Sequence, residues 1–247
     1  MLPRRDRGAG ALSLPPERTR VKLSVGEILG ESWALYTRNS GRLIAVAAIV
    51  FGFLSLVNAV IDSFGSTPIA LLLVSVAIAI VGVFWMQGAL VIVVQDLRDG
   101  RTTPSIGDVF QRVEPRLWTL IGAGILAAVG IGVGLILLVV PGLVLLTYWS
   151  MITPVVVLER RAALPSFSRS AALVSGNGLR VFAVIAVTVI GSSIVSAVIF
   201  ALLSPLPPFF DLYIAGVVAN SVTVPYVALA WTLVYYDLRA GKPAVSG

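Results

Sequence analysis

Few residues in this chain are of types that do chemistry, because histidine and cysteine are both absent. Without histidine, the usual general base near neutral pH and the commonest metal ligand are missing. Without cysteine, there is no disulfide, thiolate nucleophile or iron–sulfur ligand. A serine nucleophile would need lysine or a carboxylate as its base, and both lysines lie near the chain ends. The composition therefore predicts a protein that is not an enzyme and that uses no metal or cofactor.

One pair of carboxylates has the spacing of an acid–base site. Glu27 and Glu31 are four residues apart and share one face of a predicted helix. Such a pair is more often a solvated helix face than a two-carboxylate catalytic centre. Neither a phosphate-binding P-loop nor a dinucleotide-binding glycine pattern occurs in the sequence. These carboxylates therefore do not change the prediction of a non-enzymatic protein.

Charged residues beside long apolar runs are the remaining candidates. Arginine stands at the start of three such runs, where it either anchors the topology by extending to the membrane surface or binds anionic lipid headgroups. A further interpretation is that charged residues at the ends of apolar runs hold the helix ends together by ion pairing. The candidates for lipid-headgroup binding or helix locking are Arg42, Arg116, Glu159, Arg160, Arg169, Arg180, Asp237 and Arg239.

The composition and the apolar runs predict which secondary structure these charged residues adjoin. The chain has 247 residues, of which 57% are hydrophobic and only 12% charged. A soluble domain of this size carries about 25% charged residues. Apolar runs of about 20 residues are long enough to cross the hydrocarbon core, and lipid offers no partners for backbone polar groups. The sequence thus predicts an all-α, polytopic membrane protein.

The apolar runs divide into six predicted transmembrane helices. They form one membrane domain at residues 23–242, between a disordered basic cytoplasmic tail at 1–22 and a short tail at 243–247. Pro141-Gly142 is the expected turn of the second hairpin. A re-entrant second hairpin with only four crossings is the alternative. The three predicted hairpins span residues of about 43–94, 117–158 and 181–236.

Short amphipathic elbow helices at the membrane interface are predicted before helices 1, 3 and 5. Ser24-Val-Gly-Glu27 and Ser105-Ile-Gly-Asp108 have capping-box spacing, and Pro165 suits the first turn of the third elbow. An internal repeat supports this arrangement. Segments 32–42 and 170–180 share Ser, Ala, Leu, Asn and Arg at the same spacing.

The basic residues predict the orientation. With six crossings and both termini on one side, all 18 lysines and arginines lie on that side, whereas the far loops carry only Asp62 and Asp211. By the positive-inside rule that side is the cytoplasm. Arginine outnumbers lysine 16 to 2, which fits a GC-rich bacterial coding bias. We therefore expect the bacterial cytoplasmic (inner) membrane, with both termini in the cytoplasm.

Several short motifs resemble a known membrane domain. They are Pro141-Gly142, Trp149, Pro154 to Glu159, Ser168 to Gly176 and Tyr236-Asp-Leu-Arg239. Over about residues 24–242 the chain is similar to the membrane domain of bacterial glycerophosphoryl diester phosphodiesterases and their stand-alone relatives. In that family a separate soluble barrel, with histidines and metal-binding carboxylates, performs the hydrolysis. The resemblance implies a membrane module without that barrel, to which no catalytic residue carries over.

Three classes of function follow from the sequence, and one of them is a structural or assembly factor for another membrane complex. The first is a non-enzymatic membrane protein that binds lipid headgroups or acts as a scaffold. Its expected partners are the bilayer, anionic phospholipid at the cytoplasmic face, and another membrane protein or a second copy of the chain, with no nucleic acid. The alternative is a permease-like transporter subunit for a small solute or lipid. The internal repeat favours the alternative, whereas the lack of charge inside the spans argues against coupling to ions.

Overall fold

The computed structural model describes residues 24–63, 68–101, 105–205, 207 and 213–242. Over these residues the regular secondary structure is helical, and six helical segments are long and apolar enough to cross a membrane. The prediction of an all-α, polytopic membrane protein is thereby confirmed. The predicted tails at 1–22 and 243–247, and Asp211, lie outside the described residues.

The six spans are built from consecutive helices. The described helices are α1 (Val25–Asp62), α2 (Ile69–Arg98), α3 (Ile106–Val113), α4 (Leu117–Leu137), α5 (Val139–Trp149), α6 (Ile152–Leu158), α7 (Ala163–Val174), α8 (Gly178–Leu203) and α9 (Ala215–Gly241). A 3-10 turn at Glu114–Arg116 joins α3 to α4. Helices α1, α2, α8 and α9 each make one span, α4 makes the third together with the preceding α3, and α5 with α6 makes the fourth. Both halves of the second hairpin are thus long enough to cross.

The first elbow differs from its prediction, because no separate helix precedes the first span. Helix α1 runs for 38 residues without interruption. Its start is the predicted capping box: the Glu27 N–H donates to Ser24 Oγ at 3.2 Å, and the Ser24 N–H donates to Glu27 Oε2 at 2.5 Å. At 1.5 Å per residue the helix is about 57 Å long, well beyond the hydrocarbon thickness. The amphipathic segment is therefore the first part of the spanning helix itself.

The second hairpin turns three residues earlier than predicted. Leu138 has extended backbone, with φ −158° and ψ 130°, and separates α4 from α5. Pro141 then falls in the first turn of α5, where its missing N–H needs no helical partner. A Cβ atom on Gly142 would lie 2.4 Å from Leu135 Cγ and 2.6 Å from the Leu135 nitrogen. Glycine is therefore needed there for α5 to approach α4.

The packed core lies toward the end of the bundle that carries the basic residues. In α2, the buried side chains fall between Met86 and Asp96, whereas Ile69 and Leu73 at the other end are exposed. Helix α9 is the most buried span and packs between α1 and α8. Burial at this end fixes the positions of the charged residues where the helices begin and end.

Candidate functional site at the charged helix ends

Three acidic residues lie at the ends of the second helices of the hairpins, and each is paired with an arginine. We call these the acid–arginine pairs. They join Asp96 to Arg112, Glu159 to Arg169, and Asp237 to Arg180. In each pair the arginine belongs to a different helix from the acid, so each pair fastens two elements at the basic end of the bundle.

The first pair links α2 to α3. The Asp96 side chain is only 1% exposed, and Arg112 donates to its two oxygens at 2.6 and 3.2 Å. Toward the middle of α2, Trp85 Nε1 donates to the Phe110 carbonyl at 2.9 Å, which is a second hydrogen bond between the same two helices. The sequence analysis missed this pair. The available signal was that Asp96-Leu-Arg98 repeats the Asp237-Leu-Arg239 motif.

The second pair has Glu159 at the centre of a larger network. Arg169 Nε donates to both carboxylate oxygens of Glu159, at 3.2 and 2.9 Å. Arg161 Nε donates at 3.2 Å, and the Tyr235 hydroxyl at 3.1 Å. Burial disfavours the charged carboxylate, but the hydrogen bonds and charge of Arg169, with Tyr235 and Arg161, outweigh it. The pKa of Glu159 therefore lies below its ordinary value of 4.5.

The same network ties the end of α9 to α7. Arg169 Nη2 donates to the Lys242 carbonyl at 3.3 Å. Lys242 Nζ donates to the carbonyls of Ala172 at 2.8 Å and Ser175 at 2.5 Å. These carbonyls belong to the C-terminal end of α7, where a cation is favoured because the last carbonyls lack helical partners. Lys242 was not among the predicted site residues.

The third pair leaves part of its arginine unsatisfied. Arg180 Nη2 donates to Asp237 Oδ2 at 2.7 Å, whereas Arg180 Nε and Nη1 are buried and have no hydrogen-bond partner among the described residues. Arg180 lies in the first turn of α8, beside a surface cavity of about 450 Å³. The cavity is lined by Val25, Gly176, Asn177, Gly178, Leu179, Arg180 and Ala183.

The remaining predicted residues are spread over the same end. Arg42 is half-buried within α1, and Arg116 is half-buried at the start of α4, whereas Arg160 and Arg239 are exposed. The side chains of Arg116 and Arg160 make no hydrogen bond or ion pair with other described residues. Arg160 has a backbone φ of +55°, in the left-handed region. The structure thus brings Glu159 close to Arg169, and Arg180 close to Asp237, but does not gather all eight residues into one site.

Together the spans and the charged ends define a polytopic helical membrane protein whose helix ends are joined by buried ion pairs. Across the described segments, no group of three or more acidic, histidine or cysteine side chains is placed to hold a metal ion. No protein-family model matches the chain, and neither a curated protein nor a solved structure matches it significantly. The family resemblance seen in the motifs therefore stays a prediction and contributes no residue to the site.

Proposed function

We propose that this protein is a non-enzymatic protein of the bacterial cytoplasmic membrane that binds the headgroup of an anionic phospholipid. The site is the turn between α7 and α8, at the face where the basic residues cluster, which the positive-inside rule assigns to the cytoplasm. The observation that carries the proposal is Arg180, whose Nε and Nη1 are buried without partners among the described residues.

The guanidinium of Arg180 has more donors than the described part of the chain satisfies. It carries five N–H groups, and Asp237 accepts at a single 2.7 Å contact. Leaving a buried donor unpaired costs about 1–3 kcal/mol, so a further acceptor at this place is favoured. Phosphate oxygens match the fork of a guanidinium and form charge-assisted hydrogen bonds with it. Such oxygens lie at the depth where membrane helices begin.

The backbone beside Arg180 also suits an anion. Gly176 has φ +77°, and Gly178 is the first residue of α8. Because both residues are glycine, no side chain blocks access to the backbone of this turn. The first backbone N–H groups of a helix carry partial positive charge, which adds to that of Arg180. We infer that the headgroup phosphate binds mainly to Arg180, and that the backbone N–H groups of this turn provide an additional contact.

Native mass spectrometry of the protein released from nanodiscs of equal phosphatidylglycerol and phosphatidylcholine tests the proposal. Arg180→Gln is expected to remove the selective retention of phosphatidylglycerol. Arg101→Gln is the matched control, because it makes the same charge change at an exposed arginine whose guanidinium, among the described residues, makes only a 3.5 Å ion pair with Asp99. Asp237→Asn is expected to increase retention, because the guanidinium then no longer shares its charge with a carboxylate.

The opposite signs of these variants separate binding from stability. If the pair only holds α8 against α9, Arg180→Gln and Asp237→Asn would lower retention together, in proportion to lost thermal stability. Equal retention by wild type, Arg180→Gln and Arg101→Gln would also overturn the proposal. Arg42→Gln, at the matching position of the internal repeat, tests whether the first span shares in the site.

The permease-like alternative has one structural feature in its favour. The fourth span is interrupted at Ser150 and Met151, between α5 and α6. Transporters place their substrate sites at discontinuous helices of this kind. Saturable uptake of labelled solutes or lipids by proteoliposomes, absent from protein-free vesicles, would favour this alternative over headgroup binding.

A further inference from the structure

A second cavity lies away from the charged helix ends, among α2, α4, α5, α6 and α9. Its volume is about 220 Å³. Gln87, which lines it, is 11 residues before the last residue of α2, or about 16 Å along the helix. Since the hydrocarbon core is about 30 Å thick, the cavity lies near the middle of the membrane. The lining residues are Phe84, Gln87, Leu120, Gly124, Ala127, Ala128, Ile131, Leu146, Trp149, Ser150, Ile152, Thr153 and Trp231.

Apart from the indole N–H groups of the two tryptophans, three of the lining side chains are polar, and none is charged. Within the described segments, the Gln87 amide and the Thr153 hydroxyl make no hydrogen bond. Ser150 Oγ donates to the Thr147 carbonyl at 2.7 Å and keeps its lone pairs available to the cavity. Polar groups at this depth are costly unless they are paired, since lipid tails offer no partners. A ligand that fits these groups is uncharged and carries both a hydrogen-bond donor and an acceptor.

The apolar walls of the cavity are held in place by close packing. A Cβ atom on Gly124 would lie 2.0 Å from Phe84 Cε1, and one on Gly130 would lie 2.5 Å from Trp149 Cζ3. These glycines of α4 therefore let both rings pack against the helix instead of filling the cavity. Trp231 is fixed by its Nε1, which donates to Thr188 Oγ1 at 3.1 Å. The cavity is thus preformed, as small-molecule sites usually are.

The cavity reaches the outer surface of α4. Ala128 lines it and is exposed, and the neighbouring Ile125 and Val129 are exposed apolar side chains. An exposed apolar face on a spanning helix contacts lipid tails, so a molecule already dissolved in the bilayer has direct access. The volume holds a polar head but not a long chain.

We infer that this cavity binds the uncharged, hydroxyl-bearing head of a membrane-borne amphiphile, whose apolar tail stays in the bilayer. Gln87 and Thr153 hydrogen-bond the head, with Ser150 as a further acceptor, and the aromatic rings pack on its carbon atoms. The cavity shares no residue with the headgroup site around Arg180, so the two proposals can be tested independently.

Photolabelling tests the inference directly. The protein, in phosphatidylcholine nanodiscs, is labelled with a diazirine derivative of 1-octanol, and the labelled peptides are mapped by mass spectrometry. We expect saturable labelling of cavity residues in α4 and α5 that unlabelled 1-octanol competes away and octane does not. Gln87→Leu and Thr153→Val should each lower this labelling about fivefold, the value of one hydrogen bond. Neither variant removes a hydrogen bond within the described segments, so both should fold.

The matched control is Ser193→Ala, which removes a hydroxyl from the exposed surface of α8. Its labelling pattern should equal that of the wild type. Labelling spread evenly over lipid-facing residues without competition would overturn the inference, as would unchanged labelling in both cavity variants. Competition by glycerol from the water phase, with none by 1-octanol, would overturn the assignment to a membrane-borne molecule.

Discussion

Arg112 donates hydrogen bonds of 2.6 and 3.2 Å to the two carboxylate oxygens of Asp96, and so ties the short helix α3 to the end of the span α2. The carboxylate is almost fully buried, whereas the arginine is about one-third exposed. Breaking a buried pair by removing one partner leaves the other charge uncompensated, which is the costly case. The other two acid–arginine pairs likewise join an acidic residue at the end of a span to an arginine of another helix.

Asp96→Asn should lower the free energy of unfolding by about 2 kcal/mol, the value of a hydrogen bond to a charged group. The substitution keeps the size of the side chain but removes the charge that Arg112 requires. Reversible unfolding in detergent measures the change. The control is Asp99→Asn, whose partner Arg101 is exposed and 3.5 Å away, and which should change stability by no more than about 0.5 kcal/mol. If the two substitutions changed the free energy of unfolding equally, burial of the Asp96–Arg112 pair would contribute nothing to stability.

Glu159 should make the stability of the protein depend on pH in the acid range. Its pKa is lower in the folded state than its ordinary value of 4.5, so the folded protein binds fewer protons there than the unfolded chain does. The contribution is complete above about pH 5 and is lost as the pH falls through the folded-state pKa. Melting curves of Glu159→Gln and wild type should therefore converge as the pH decreases. A constant difference between them at all pH values would contradict this assignment.

Gly176 and Gly41 should respond in opposite ways to alanine. Gly176 has φ +77° at the end of α7, whereas Gly41 lies inside the continuous helix α1. A Cβ atom would meet nothing within 4 Å at either position, so only the backbone conformation differs. We expect Gly176→Ala to destabilise the protein by about 1 kcal/mol and Gly41→Ala to stabilise it by about 0.5–1 kcal/mol. Thermal unfolding in detergent, with both variants measured side by side, checks the signs.

Arg160 should be replaceable by glycine with a gain in stability. Its φ of +55° is unfavourable for a residue with a Cβ atom, and its side chain is exposed. Arg160→Gly should stabilise the protein by up to about 1 kcal/mol, whereas Arg160→Val should destabilise it because a branched side chain tolerates this conformation least. Arg161→Gly is the neighbouring comparison, and it should destabilise because Arg161 donates to Glu159 at 3.2 Å. A loss of stability in Arg160→Gly would assign Arg160 a contact beyond the described residues.

The internal repeat shows where prediction from local sequence ends. Segments 32–42 and 170–180 share five residue types at the same spacing, and each carries a fully buried serine, Ser32 or Ser170. Yet the first is continuous helix, and the second breaks between α7 and α8. The position that Gly176 occupies in the second segment is Arg38 in the first, and arginine does not favour the left-handed conformation that ends the helix. Glycine at this position therefore allows the turn in the second segment, whereas arginine favours the continuous helix of the first.

The sequence by itself determined the class of protein, the six apolar spans and the two capping boxes. These follow from run length and from contacts three residues apart, so they need no knowledge of distant packing. Only the tertiary structure decided which acid meets which arginine, since Arg180 and Asp237 are 57 residues apart in the chain. It also decided the turn at Leu138 and the cavity around Gln87, because each depends on how closely separate helices pack. In lipid, the distance between packed helices is set by the shapes of the facing side chains and by paired polar groups. The pattern of hydrophobic residues along the sequence does not specify either of these.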